Sequence, residues 1–174
     1  MATSVAVQRT EEKPVAITPA ENLMDRVNQM SQAIMQRAYN IFEGNGRRFG
    51  HDLEDWLKAE TDILYPVRVS LVETDDSLEV KAEVPGFNEK EIEVSVEPRR
   101  LTITGKRETE TKKEEKKSKT VYSEFCSNQI LRIVDLPASV DAEKTIATLK
   151  NGVLQLTMPK AAKAKTLEIK TRAA

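Results

Sequence analysis

At Tyr65-Pro66 the hydrophobic period of the chain changes, and this change restricts its fold more than any other feature. Upstream, apolar residues recur every three to four positions. Downstream they recur every second position: Val67, Val69 and Leu71, then Leu78, Val80, Ala82 and Val84, then Ile92, Val94 and Val96, then Leu101 and Ile103. A period of two turns one face of each strand toward a core and the other toward water. Turn chemistry bounds the runs at Asp75-Asp76-Ser77, Pro85-Gly86 and Pro98. Asn151-Gly152 predicts a tight hairpin between strands over 145–150 and 153–158, because both central residues of that turn need positive φ. Short alternating strands at this spacing predict an all-β fold, an antiparallel immunoglobulin-like β-sandwich over residues 66–160.

Residues 18–64 read as an α-helical N-terminal region. Thr18-Pro19-Ala20-Glu21 has the form of a capping box with proline at the first helical position. Leu23, Val27, Met30, Ile34, Ala38 and Ile41 follow on one helical face. Gly44-Asn45-Gly46 is expected to stop that helix. A shorter helix is expected from near Asp52, with Asp52 as its cap. Its Leu53, Trp56, Leu57, Ile63 and Leu64 fall on one side, and Tyr65-Pro66 ends it. Residues 1–17 read as a flexible tail, and residues 161–174 as an extended C-terminal tail rich in alanine and lysine. Within the latter, Leu167 and Ile169 stand at i and i+2. In an extended chain both point the same way and can plug one groove on a sheet edge.

Composition excludes several function classes. Of 174 residues, 32 % are charged and 5 % aromatic, which is lean for a core but too apolar for a wholly disordered chain. The net charge of −1 provides no global field toward nucleic acid or membrane. Cys126 is the single cysteine, so no disulfide can form within the chain, which fits a reducing, cytoplasmic setting. The first residues lack a secretory apolar run, and no stretch approaches the roughly 20 apolar residues of a membrane span. Residues 106–120 hold seven basic and four acidic side chains and no apolar one. They read as a solvated loop or an extension over a neighbour. Interleaved acids and the lack of aromatic stacking platforms argue against a nucleic-acid partner.

Catalytic signals are weak. The only histidine, His51, lies beside Asp52 with no serine or cysteine motif to complete a nucleophilic site. One cysteine cannot build a structural zinc site, and no glycine-rich phosphate loop is present. No enzyme activity, cofactor or metal is expected. A hydrolase built on His51 and Asp52 would be the competing enzymatic class.

An ordered series of motifs runs through the second half. Ala82-Glu83-Val84-Pro85-Gly86-Phe87 is followed by Leu101-Thr102-Ile103-Thr104-Gly105-Lys106-Arg107-Glu108 and Leu136-Pro137-Ala138-Ser139-Val140-Asp141. Ala147-Thr148-Leu149-Lys150-Asn151-Gly152-Val153-Leu154, Met158-Pro159-Lys160 and Leu167-Glu168-Ile169 complete the series. From Pro66 onward the chain resembles the α-crystallin domain of the small heat shock proteins. Aligned on Leu136-Pro137, Arg132 falls on the family's arginine and Glu124 is kept. Ile130 replaces a phenylalanine, Asn128 a glycine and Phe125 a first arginine. Thr145-Ile146 stands where the family has an apolar residue followed by a polar one.

The resemblance implies an ATP-independent chaperone, a holdase that binds unfolding client proteins. It implies a homo-oligomer built from dimers. The dimer forms by strand exchange through the segment around 106–122, with Arg132, Glu124 and Tyr122 at its interface. Dimers link through Leu167 and Ile169, docked in a groove at Val94, Val96, Ala147 and Leu149. The helical region has a second resemblance over about 33–64. Arg37-Ala38-Tyr39, Gly46, Gly50-His51-Asp52 and Asp55-Trp56-Leu57-Lys58-Ala59-Glu60 are similar to a short bacterial domain of unknown function. Leu23, Met24, Val27, Met30, Ile34, Met35, Ile41 and Phe42 are expected either to pack the arm or to bind clients, a use for which flexible methionine is suited. The alternative is a sandwich-type scaffold or co-chaperone whose helices bind a dedicated partner.

Overall fold

The computed structural model describes residues 12–107 and 129–162. A two-residue strand β1 (Lys13–Pro14) precedes helices α1 (Ala20–Gly44) and α2 (Asp52–Ile63). Then come β2 (Arg68–Glu73), β3 (Ser77–Glu83), β4 (Ile92–Glu97), β5 (Arg100–Lys106) and β6 (Gln129–Asp135). A single 3-10 turn (Ala142–Lys144) leads into β7 (Ile146–Lys150) and β8 (Val153–Pro159). All named strand pairs are antiparallel, in a five-stranded sheet ordered β1-β7-β8-β3-β2 and a three-stranded sheet ordered β4-β5-β6.

The period-two alternation forms the core between these sheets. Leu78, Val80 and Ala82 of β3 and Leu154, Leu156 and Met158 of β8 meet Ile92 and Val94 of β4 and Leu101 and Ile103 of β5, all buried. On β2, Val69 and Leu71 are only partly buried, as suits an edge strand. The expected hairpin forms: Asn151 and Gly152 have φ of 51° and 74°, and β7 pairs with β8 around them.

Three of the sequence motifs meet at one corner. Gly86 has φ 81°, and a Cβ placed there would come within 2.5 Å of Arg107 Nη2. The Arg107 guanidinium donates to the Pro85 carbonyl (3.2 Å) and lies 4.8 Å from the centre of the Phe87 ring. Gly152 of the hairpin abuts the Pro85 backbone from the other side. The proline-glycine, glycine-x-arginine and asparagine-glycine motifs therefore occur together because each makes room for the next.

The helices pack on one another through Met30, Ile34 and Ile41 of α1 and Ala59 of α2, with Trp56, Ile63, Leu64 and Leu131 of β6 joining them. Arg37 holds Asp62 across the pair, Nη2 to Oδ2 at 2.7 Å. The buried Asp55 accepts a hydrogen bond from the Asn45 side chain, fixing the connection between helices.

Several local expectations are corrected. The capping box does not form. Pro19 occupies the cap position of α1 with no side-chain cap bond, because Thr18 is committed to the β4 edge. Asp52 is the first residue of α2 and makes no cap bond. It stands with Glu54 and Asp55 in a first turn where the helix dipole favours anions. The strand before the hairpin begins at Ile146, since the Thr145 amide and hydroxyl bond back to Ala142 and Asp141. Residues 13–17 do not form a loose tail. They lie extended along the sandwich.

Gly86→Ala should lower stability by about 1–2 kcal/mol through the left-handed backbone alone. It should also push the Arg107 guanidinium off the Phe87 ring. Urea unfolding monitors the first effect, and the ring-current shift of Arg107 protons in NMR spectra monitors the second.

Candidate functional site

Two stacked sheets leave an opening along each side. On one side the edges of β7 and β4 face a cleft, and the chain's own residues 13–18 fill it. β1 pairs with β7, Lys13 opposite Leu149 and Pro14 opposite Thr148. The Val15 amide donates to the Ala147 carbonyl (3.0 Å). Ile17 then bridges Val94 in parallel, and the Thr18 amide donates to the Val94 carbonyl (2.7 Å). Val15 is buried and Ile17 partly buried against the core, while Ala16 between them is exposed. Ion pairs flank this contact: Lys13 with Glu89 (3.4 Å), in the segment before β4, and Lys150 of β7 with Glu12 (3.1 Å). Val94, Ala147 and Leu149, named from the sequence as groove residues, thus border one cleft. Val96 lies two positions further along β4, buried in the core.

On the opposite side stand β2 and β6. The linker after α2 secures the start of β6: Leu64 bridges Gln129 in parallel, and the Tyr65 amide donates to the Gln129 carbonyl (2.8 Å). Arg132 is exposed on β6 and borders a crevice with Glu60, Thr61, Tyr65 and Pro66. The outer edge of β2 has no strand partner among the described residues. Tyr122, Glu124, Cys126, Leu167 and Ile169 lie outside the described residues.

The outer face of the three-stranded sheet carries Glu93 and Ser95 of β4 and Thr102 and Thr104 of β5, residues alternate to the core positions. Helix α1 lies against β4 and β5 on this face, and Arg26 pairs with Glu93 at 2.9 Å. Beneath this cover Ser95 is 2 % exposed and Thr104 0 %, and neither hydroxyl finds a hydrogen-bond partner. Each such group costs about 1–3 kcal/mol when water is taken away. The cover is thus an apolar helix seated on polar ground.

The arm residues divide accordingly. Leu23, Met30, Ile34 and Ile41 are buried, Val27 and Phe42 are partly buried, and Met24 and Met35 are exposed, at 57 % and 58 %. Sequence reasoning missed Phe49, exposed at 87 % with its ring edge-on to Phe42 at 5.7 Å. Tyr39, Leu53 and Leu57 are exposed as well. Phe49 carries no periodic signal, since it lies in the turn between the helices. His51 is exposed, and its Nδ1 lies 2.9 Å from Glu54 Oε2. The hydrogen bond and charge of Glu54 raise its pKa, with Asp55 and then Asp52 as lesser influences. No group of three or more histidine, cysteine or acidic side chains suited to a metal ion occurs among the described residues, and no described helix is long and apolar enough to cross a membrane.

Residues 70–172 match the Hsp20/alpha crystallin family, and residues 29–64 match a protein family of unknown function, DUF2934. The probable 15 kDa heat shock protein of Leptospira interrogans is 35 % identical over 107 residues, which cover 62 % of this chain and 78 % of that protein. Small heat shock protein C2 of Rickettsia felis is 32 % identical over 105 residues, or 60 % of this chain and 67 % of that protein. Among solved structures, heat shock protein 16.0 from Schizosaccharomyces pombe is similar at 29 % identity over 63 % of this chain and 97 % of its own, with a TM-score of 0.49. With the sandwich, its motifs and a match across more than half of its length, the chain belongs to the Hsp20/alpha crystallin family.

Proposed function

We propose that this small heat shock protein is an ATP-independent holdase of the cytoplasm, which binds partly unfolded proteins and keeps them soluble. The observation that carries the reading is the helical cover on polar ground. Heat that loosens α1 would hydrate Ser95 and Thr104 and would offer Met30, Ile34 and Ile41 to a client, beside the already exposed Met24, Met35, Phe49 and Leu53. Clients in such a state expose apolar surface that drives aggregation. The surfaces are adaptable rather than shaped, which suits many clients and no single ligand.

The same reading includes assembly. The open edge of β2 would take a strand from the partner's segment around 106–122, which removes an edge prone to aggregation. Arg132, Glu124 and Tyr122 would line that interface. Leu167 and Ile169 would dock on a neighbour at Val94, Val96, Ala147 and Leu149. Each buried tail side chain contributes roughly 1.5–3 kcal/mol before ordering costs. One tail is therefore a weak link, and many in one assembly make a durable one.

Three outcomes check these statements. At equimolar subunits and without nucleotide, the protein should cut the light scattering of a heated, labile enzyme by half or more. Unchanged scattering would favour a scaffold with a dedicated partner. Leu167→Ala/Ile169→Ala should reduce the solution mass from a large oligomer to a dimer, as measured by size exclusion with light scattering. Thr104→Val, which removes an unpartnered hydroxyl at nearly constant shape, should hold α1 closed by about 1 kcal/mol more. Hydrogen exchange should then slow several-fold along α1, and client capture at a fixed temperature should fall by a similar factor.

A further inference from the structure

We propose that residues 13–18 form an internal plug that competes with the C-terminal Leu167-Glu168-Ile169 segment for the cleft between β4 and β7, so that tail docking and release of the helical arm are one coupled event. The inference rests on the tail-docking reading above.

Three observations carry it. The first is the pattern of the two segments. Pro14-Val15-Ala16-Ile17-Thr18 and Thr166-Leu167-Glu168-Ile169-Lys170 each place a branched aliphatic residue at i and isoleucine at i+2. In the first, the two side chains turn inward and the residue between them stays in water. The second offers Glu168 at the position that Ala16 holds in water, so the cleft that accepts one pattern fits the other. The second observation is backbone chemistry. The plug satisfies the carbonyls of Ala147 on β7 and Val94 on β4, at 3.0 and 2.7 Å. Any extended segment entering the cleft needs those same acceptors, so two segments cannot share it. The third is the tether. Only Pro19 separates Thr18, bonded to Val94, from the first residue of α1. Pulling the plug out therefore strains or lifts the start of α1, where Leu23 is buried and Arg26 holds Glu93.

The consequence is reciprocal. Whatever frees α1 opens the cleft to a tail, and a tail that enters the cleft loosens α1, by the same factor. The plug is attached to its own cleft and is present at high effective concentration. A tail must therefore compete against it, and its apparent affinity falls by the fraction of time the cleft is open.

The test uses the full chain carrying Leu167→Ala/Ile169→Ala, so that its own tail is silent, and a fluorescent peptide of residues 163–172. Adding Val15→Ala/Ile17→Ala should tighten peptide binding at least tenfold. Thr18→Pro, which removes the amide donated to Val94 and leaves both aliphatic side chains in place, should tighten it by a smaller factor and guards against a fold lost through the core. Hydrogen exchange on the chain with an intact plug should show protected Val15 and Thr18 amides, and saturating peptide should speed exchange there and in the first turns of α1. Equal, measurable binding to all three chains would overturn the plug and leave tail docking standing. Binding to none of them would overturn tail docking in this cleft, and with it the competition.

Discussion

An unpaired strand edge presents a row of amide and carbonyl groups that water or another strand must satisfy, and most of what surrounds this sandwich answers that demand. The β7 and β4 edges accept the Val15 and Thr18 amides. The start of β6 accepts the Tyr65 amide. In both places the chain segment that covers the edge is also the segment that leads into or out of the helical pair. The helices are consequently anchored at both ends by strand-like contacts, one on each side of the sandwich. Their position over the three-stranded sheet follows from these two attachments as much as from their own apolar face.

That position creates a conflict of levels. Locally, α1 has an amphipathic face that must be buried, and Met30, Ile34 and Ile41 find α2 and Leu131. Locally too, the outer face of β4 and β5 has the serine and threonine of a face meant for water. Bringing the two together buries Ser95 and Thr104 without partners. Natural sequences keep such contradictions few, and they tend to gather where function needs a second arrangement of the same parts. A cover held by good apolar contacts but opposed by dry hydroxyls has a smaller closing free energy than its buried area suggests.

The sandwich was legible because its signals are local and repeated. Val80, Val94 and Ile103 each sit in an alternating run, and Asn151-Gly152 admits one kind of turn. The helical pair was legible for the same reason. What the sequence concealed depends on partners distant in the chain. Val15 and Ile17 are two apolar residues beside a proline, too few to show a period, and their burial is decided by Ala147 and Val94 far along the chain. Thr18 looks like a cap until its amide is needed elsewhere. Met24 and Met35 share a stretch with buried Leu23 and Ile34 but stand one residue further on, about 100° around the helix, and so face water. The resemblance to the family also named Arg132, Val94 and Leu149 as site residues. It could not show that the cleft beside Val94 and Leu149 is occupied by the chain itself.

One departure of this chain from its family's pattern, Ile130, acquires a reason on β6. Ile130 stands opposite Gly105, and its Cγ1 lies only 2.8 Å from where a Cβ on that glycine would be. The inner face of β6 thus fills the gap over Gly105 with a branched residue in place of the family's ring. The outer face offers Leu131 to the helical core. The strand's edge receives Tyr65 from the linker. One strand serves the sandwich, the helices and the connection between them. A residue chosen at any of the three must satisfy the other two. The helical pair is therefore better regarded as built into this sandwich through β6 than as an appendage to it. Changes in the arm and changes in β6 should travel together among chains that carry both.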